Sequence, residues 1–308
     1  MGMLVEGKWQ DVWYDTKSND GRFVRKDAQF RNGIEDAPDA RFRPESGRYH
    51  LIVASACPWC HRVMIARALF GLEEVIPMTT VQPLMLDHGW EFAPDDPDPI
   101  TGARYAYELY TAADPTYTGR VTVPILWDRK HHTIASNESS ELIRFFDTVF
   151  RPLHTRPTPT WRPEAHREAI DALNPRVYDA INNGVYRAGF ATTQSAYDEA
   201  VTELFSALDQ IEAGLEGRAY LFGDHPTEAD WRLWVTLIRF DLVYHGHFKC
   251  NLRRISDYPN LSAYTSRLYR VPGVASTTDF DAIKTHYYGS HESINPHRII
   301  PKGPILDF

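Results

Sequence analysis

The chain has 308 residues, 43% hydrophobic and 13% aromatic, with a formal net charge of -8. That is enough apolar surface for a sizeable core, and the length points to two domains. The acidic balance argues against nucleic acid as a partner, no apolar run is long enough to span a bilayer, and the polar start MGMLVEGKWQD does not resemble a signal peptide.

Residues 1–48 are polar and punctuated by Gly, Asp and Arg, and are expected to form an extension wrapped over the core. YHLIVAS (Tyr49–Ser55) is a continuous apolar, β-branched run suited to a buried strand. In CHRVMIARALFG, Val63, Ile65, Ala66, Leu69 and Phe70 fit a helix packed on a sheet, with Gly71 as its stop. EVIPMTTV reads as a second short strand. The stretch from Gln82 to Arg120 is crowded with Pro, Asp and Gly and reads as a long functional loop carrying Trp90. VTVPILWD (Val121–Asp128) reads as a strand with Pro124 inside it, which places that proline at an edge or special turn. SNESSELIRFFDTVF opens a helix with Leu142, Ile143, Phe145, Phe146 and Val149 on one face.

The proline-rich stretch 151–163 is the expected linker, and helices alone are expected over 164–288. Tyr197, Val201, Leu204, Phe205, Leu208, Ile211 and Leu215 recur at spacings of three and four, the mark of an amphipathic helix. Thr227 and Asp230 have the spacing of a capping box at the head of a helix apolar nearly all round. Residues 289–308 are expected to be an extended tail. The resulting organisation is an extension (1–48), an α/β domain (49–150), a linker, an all-α domain (164–288) and a tail.

The chain has 3 cysteines, Cys57, Cys60 and Cys250. So sparse and odd a number fits a reducing cytoplasmic setting, where a CxxC pair is catalytic or metal-binding more often than structural. SACPWCHR places Cys57 where strand meets helix. Unpaired N–H groups and the macrodipole there favour a thiolate, and Pro58 fits the first helical position. Cys60 lies about one turn further in. Cys57 is therefore the expected nucleophile, and Cys60 either a resolving thiol or a small core residue. A zinc site completed by His247 and Cys250 is the competing reading, but Pro and Trp between the cysteines suit a knuckle poorly, so no metal is expected.

The CPWC turn, GRVTVPILWD, SNESSE, NNGVYRAGFA, TEADWRLWVTLIRFD and HFKCN together resemble the glutathionyl-hydroquinone reductases, the Xi class of glutathione transferases. The resemblance covers nearly the whole chain. It implies a thioredoxin-like N-terminal domain, an all-helical C-terminal domain and a homodimer. It also implies a reaction in which a second glutathione, as co-substrate, reduces a glutathionyl-hydroquinone. Cys57 matches the catalytic cysteine and would pass through a mixed disulfide with glutathione. Glu138, Ser139 and the helix N–H groups behind them would hold the γ-glutamyl end. Pro124 would be the cis-proline that turns the Val123 backbone towards the thiol ligand, Arg120 would meet a carboxylate, and Trp90 would cover the thiol. Tyr186, Tyr244 and Tyr287 would form the pocket for the quinone-derived acceptor, donating to quinol oxygens. His245 and His247, beside Tyr244, read as packing histidines before proton shuttles.

Relatives commonly carry alanine at the position of Cys60. A second thiol there opens an internal route, so a glutaredoxin-like dithiol oxidoreductase using Cys57 and Cys60, with glutathione or another small thiol, is the alternative activity.

Overall fold

A computed structural model describes residues 2–307. The chain divides into two compact units. The first comprises the segment ending at Trp13, Lys26–Thr158 and Ser276–His286; the second comprises Tyr14–Arg25, Pro159–Ala275 and the segment from Tyr287 onward.

The first unit is built on a four-stranded sheet. Its strands are β3 (Tyr49–Val53), β4 (Met78–Thr80), β6 (Ile125–Asp128) and β7 (Thr133–Ser136), in the order β4-β3-β6-β7. β3 runs parallel to β4 and antiparallel to β6, and β6 is antiparallel to β7. Every residue of β3 is buried, as its unbroken apolar run requires. Helix α1 (Pro58–Leu69) crosses between β3 and β4 and packs against α3 (Ser139–Asp147). Gly71 ends α1 at φ 68°, where a Cβ would lie 2.2 Å from the Thr155 hydroxyl. This strand–helix–strand, hairpin, helix order is thioredoxin-like.

Three elements depart from the sequence reading. The stretch read as one loop, 82–120, contains α2 (Ala106–Ala113). β6 begins one residue after Pro124, so the proline precedes the strand. β7, in the polar stretch HHTIAS, escapes the sequence pattern because two histidines hide its alternation.

The first residues are strands as well. β1 (Met3–Val5) pairs with β2 (Lys8–Gln10) and with β5 (Gly119–Arg120). From β2, the Trp9 indole donates to the Asp87 carbonyl at 2.9 Å and stacks on Tyr107 of α2 with centroids 4.9 Å apart. A chain segment with little core of its own thus orders the long connection through strand pairing and one large aromatic anchor.

His50 of β3 is buried. Its Nδ1 lies 3.1 Å from an Arg129 nitrogen and its Nε2 2.8 Å from the Thr79 hydroxyl. A guanidinium only donates, so Nδ1 is bare and Nε2 carries the hydrogen. Burial, then the Arg129 charge, push this imidazole down to about 4. An unfolded histidine titrates near pH ~6.5. Below that pH the unfolded chain gains a proton that the folded chain refuses until about 4. Stability present at neutral pH is therefore lost as pH falls through that window, by up to about 2 kcal/mol after allowance for screening. Urea midpoints of the parent and His50→Gln at neutral and acid pH test this: the variant should lose less on acidification, and parallel losses would refute the assignment.

The second unit is helical: α4 (Arg167–Val177), α5 (Gly184–Gly189), α6 (Gln194–Gly214), α7 (Glu228–Arg239) and α8 (Pro259–Tyr269). α7 is buried on every residue but Arg232, as expected of a central helix. π-helical turns follow α4 at Tyr178–Asn182 and α7 at Phe240–Tyr244. The capping box is present and extended: Asp230 accepts from the Thr227 amide and hydroxyl, both at 2.7 Å, and from the Leu221 amide and Tyr264 hydroxyl, both at 2.9 Å. Of the N-terminal residues, Tyr14–Arg25 belong to this unit, held by the Arg22–Glu199 ion pair and by Phe23 against Phe190. A last helix, α9 (Phe280–Ser290), reaches two residues into the stretch read as the tail, and the unit boundary falls within it.

Candidate active site

The first unit gathers the residues proposed for thiol chemistry. Cys57 is the N-cap of α1 in an extended conformation, Pro58 occupies the first helical position, and the His61 amide bonds the Cys57 carbonyl at 3.0 Å. The residue is 8% exposed. Its position sets the sulfur near N–H groups that have no intrahelical acceptor, where negative charge is favoured. The Cys57 Sγ lies 3.7 Å from the Val123 carbonyl, and the Val123–Pro124 bond is cis.

Cys60 differs in kind. Its side chain is fully buried within α1, and its sulfur receives the Ala54 amide at 3.4 Å. It closes the turn between β3 and α1. Neither cysteine is in a disulfide. Trp59 between them carries the Arg62 guanidinium 4.6 Å from its ring centroid.

Glu138 caps α3, with its carboxylate accepting the Ser140 amide at 2.8 Å. Ser139 opens the helix and is buried, and its amide is one of those that no intrahelical carbonyl can take. Arg120 is already engaged: its guanidinium donates to the Val12 carbonyl and, at 2.8 Å, to that of Trp13. In this structure it ties down the N-terminal segment. Trp90 is buried, receives the Ala106 amide on its carbonyl at 2.9 Å, and stacks on His286.

Tyr110 of α2 is a hub that the sequence did not disclose, because it lies within an apparent loop. Its hydroxyl donates to the Thr122 carbonyl at 2.8 Å and accepts from the Thr122 amide at 3.1 Å and the Asn137 side chain at 2.8 Å. One phenol thereby joins the segments that lead into Val123 and into Glu138. Burial pushes its pKa up, so it stays a neutral donor.

In the second unit the three tyrosines converge. The Tyr287 hydroxyl is 2.6 Å from that of Tyr186 and 2.9 Å from that of Tyr244. Rings of Phe248 and Phe190 pack around them. Burial first, then the neighbouring Tyr186, holds Tyr244 and Tyr287 well above the usual phenol range. The cluster is a neutral chain of donors and acceptors in an aromatic setting, suited to oxygens on a flat ring. His247 is buried with its Nε2 3.1 Å from His291 Nδ1, which satisfies it as a packing histidine, while His245 is half-buried. Cys250 is fully buried, and burial raises its thiol pKa.

Residues 56–149 match the glutathione S-transferase N-terminal domain, and residues 194–267 match the glutathione S-transferase C-terminal domain. The chain is 56% identical over 307 residues to the glutathionyl-hydroquinone reductase PcpF of Sphingobium chlorophenolicum, covering 99% of this chain and 96% of that protein. Its fold matches the Xi glutathione transferase of Phanerochaete chrysosporium with a TM-score of 0.89 at 51% identity, over 93% of this chain and 94% of the other. It also matches the glutathione-bound YqjG of Escherichia coli K-12, a glutathione transferase homologue, with a TM-score of 0.88 at 46% identity, over 99% and 96% of the two chains.

Proposed function

The chain belongs to the glutathionyl-hydroquinone reductases of the Xi class of glutathione transferases, and from that premise we propose that Cys57 carries their reaction here. The substrate is a glutathionyl-hydroquinone. The ring first tautomerises, its thioether-bearing carbon taking a proton as a quinol oxygen loses one; the Cys57 thiolate then attacks the glutathionyl sulfur, the electron pair of the carbon–sulfur bond returns to the ring, and the oxygen takes a proton back. Free hydroquinone leaves and a Cys57–glutathione disulfide remains. A second glutathione thiolate attacks that disulfide at the glutathione sulfur, releasing glutathione disulfide and the Cys57 thiolate. Two electrons pass from two glutathione sulfurs, the substrate's thioether and the second glutathione's thiol, to the ring, and the Cys57 thiolate is regenerated.

The observation that carries this reading is the setting of Cys57: a helix N-cap with its sulfur beside the Val123 carbonyl. In the proposal, Val123 exchanges this weak contact for the cysteinyl backbone of glutathione. The amides at the head of α3 and Ser139 receive the γ-glutamyl carboxylate, and Glu138 its ammonium. Trp90 covers the thiol. Arg120 would meet a glutathione carboxylate while its guanidinium also holds the Val12 and Trp13 carbonyls. Tyr186, Tyr244 and Tyr287 hold the quinol oxygens and assist the tautomerisation that precedes cleavage. A homodimer in the reducing cytoplasm is part of the same reading, and the sparse cysteines support that compartment.

Intact-mass analysis after incubation with a glutathionyl-hydroquinone alone tests the central step. The expected product is one glutathionyl group on Cys57 per chain. A Cys57–Cys60 disulfide without adduct would favour the dithiol route, and no modification would defeat both.

A further inference from the structure

We infer that His286 is a positioning residue of the thiol site, setting the plane of Trp90. His286 lies on α9 and is 6% exposed, and Trp90 is 5% exposed. Their rings stack with centroids 4.8 Å apart and planes 20° from parallel. His286 Nδ1 lies 3.0 Å from the Pro83 carbonyl. A carbonyl only accepts, so Nδ1 carries the hydrogen, and this bond fixes the ring's rotation about its side chain. His286 therefore holds the long connection at two points, the backbone at Pro83 and the indole of Trp90.

The two contacts make different demands. The hydrogen bond orients the imidazole, and the imidazole then orients the indole by stacking. The Trp90 carbonyl is separately tied to the Ala106 amide, so the backbone of Trp90 is already fixed and the stack acts on its side chain. A ring that covers a bound thiol has to present one face to it while the other face is supported. His286 supplies that support. The residue is also next in sequence to Tyr287, whose hydroxyl joins Tyr186 and Tyr244.

The inference rests on Trp90 covering the thiol, and the experiment separates the two. Steady-state kinetics with varied glutathione would compare Trp90→Ala, His286→Asn, His286→Phe and the double variant Trp90→Ala/His286→Asn. Asn keeps a donor for the Pro83 carbonyl but removes the stacked ring, whereas Phe keeps the ring without the donor. His286→Asn should raise KM for glutathione about three- to tenfold, the worth of one aromatic stack, with kcat within about twofold. His286→Phe should recover most of that loss. On the Trp90→Ala background the Asn substitution should add nothing further. Trp90 fluorescence, taken as the difference from a matching Trp90→Phe protein, should respond to glutathione in the parent and His286→Phe and lose that response in His286→Asn. If Trp90→Ala raises KM and His286→Asn does not, or if its effect persists without Trp90, the inference is wrong and the thiol-cover reading stands. If Trp90→Ala leaves KM unchanged, the thiol-cover reading itself fails.

Discussion

Cys57→Ser should lower hydroquinone-releasing turnover by about three orders of magnitude or more, because a serine hydroxyl is neither ionised at neutral pH nor able to form a disulfide with glutathione. Cys60→Ala should keep turnover within about threefold of the parent. The contrast follows from placement. Cys57 caps the helix with its sulfur at the Val123 carbonyl, whereas Cys60 is sealed in the first turn with its sulfur under the Ala54 amide. For Cys60 to attack a Cys57 mixed disulfide, its sulfur would have to leave that amide. Product release followed by chromatography, with glutathione in excess, measures both variants. Equal loss in the two would mean that the thiols act as a pair and that the dithiol activity is the real one.

Asp230→Ala should cost about 3–5 kcal/mol, a large part of the roughly 5–15 kcal/mol that holds a typical domain together. The carboxylate is fully buried and takes four donors from three places: Thr227 at the head of α7, Leu221 in the connection before it, and Tyr264 of α8. Burial pushes its pKa up while those donors pull it back. Alanine leaves every donor in the interior without an acceptor, which costs more than the net worth of the bonds in the parent. Asp230→Asn keeps one acceptor oxygen but turns an amide towards the other donors, so its cost should be intermediate. Urea denaturation followed by far-ultraviolet dichroism checks the order. An Ala variant with an unchanged midpoint would show that the cap is dispensable.

Much of the fold is legible in the sequence because its signals are local. The buried run at Tyr49–Val53, the stop at Gly71, the periodicity around Leu204 and the Thr227–Asp230 box depend on neighbours within one or two turns. Elements whose pattern is set from a distance stay hidden. β7 is a strand because β6 pairs with it, although its own stretch begins with histidines. α2 lies among prolines and glycines, and its Tyr107 is gripped by Trp9 from nearly a hundred positions earlier. Residues 1–48 read as one extension, but the described ones divide between the two units because their anchors, Trp9 and Phe23, have different partners.

For the candidate site the division is sharper. Which cysteine heads a helix is a local matter, since a strand run, Pro58 and an apolar helical face leave no other place for Cys57. The resemblance of its motifs named the tyrosines and the residues around Pro124. Tertiary packing sets what each group can do. It closed Cys60 under an amide, engaged Arg120 with backbone carbonyls, brought three phenols into one hydrogen-bonded chain and set His286 against Trp90. Reactivity depends on exposure and on partners already satisfied, and both are settled by packing between segments far apart in the chain.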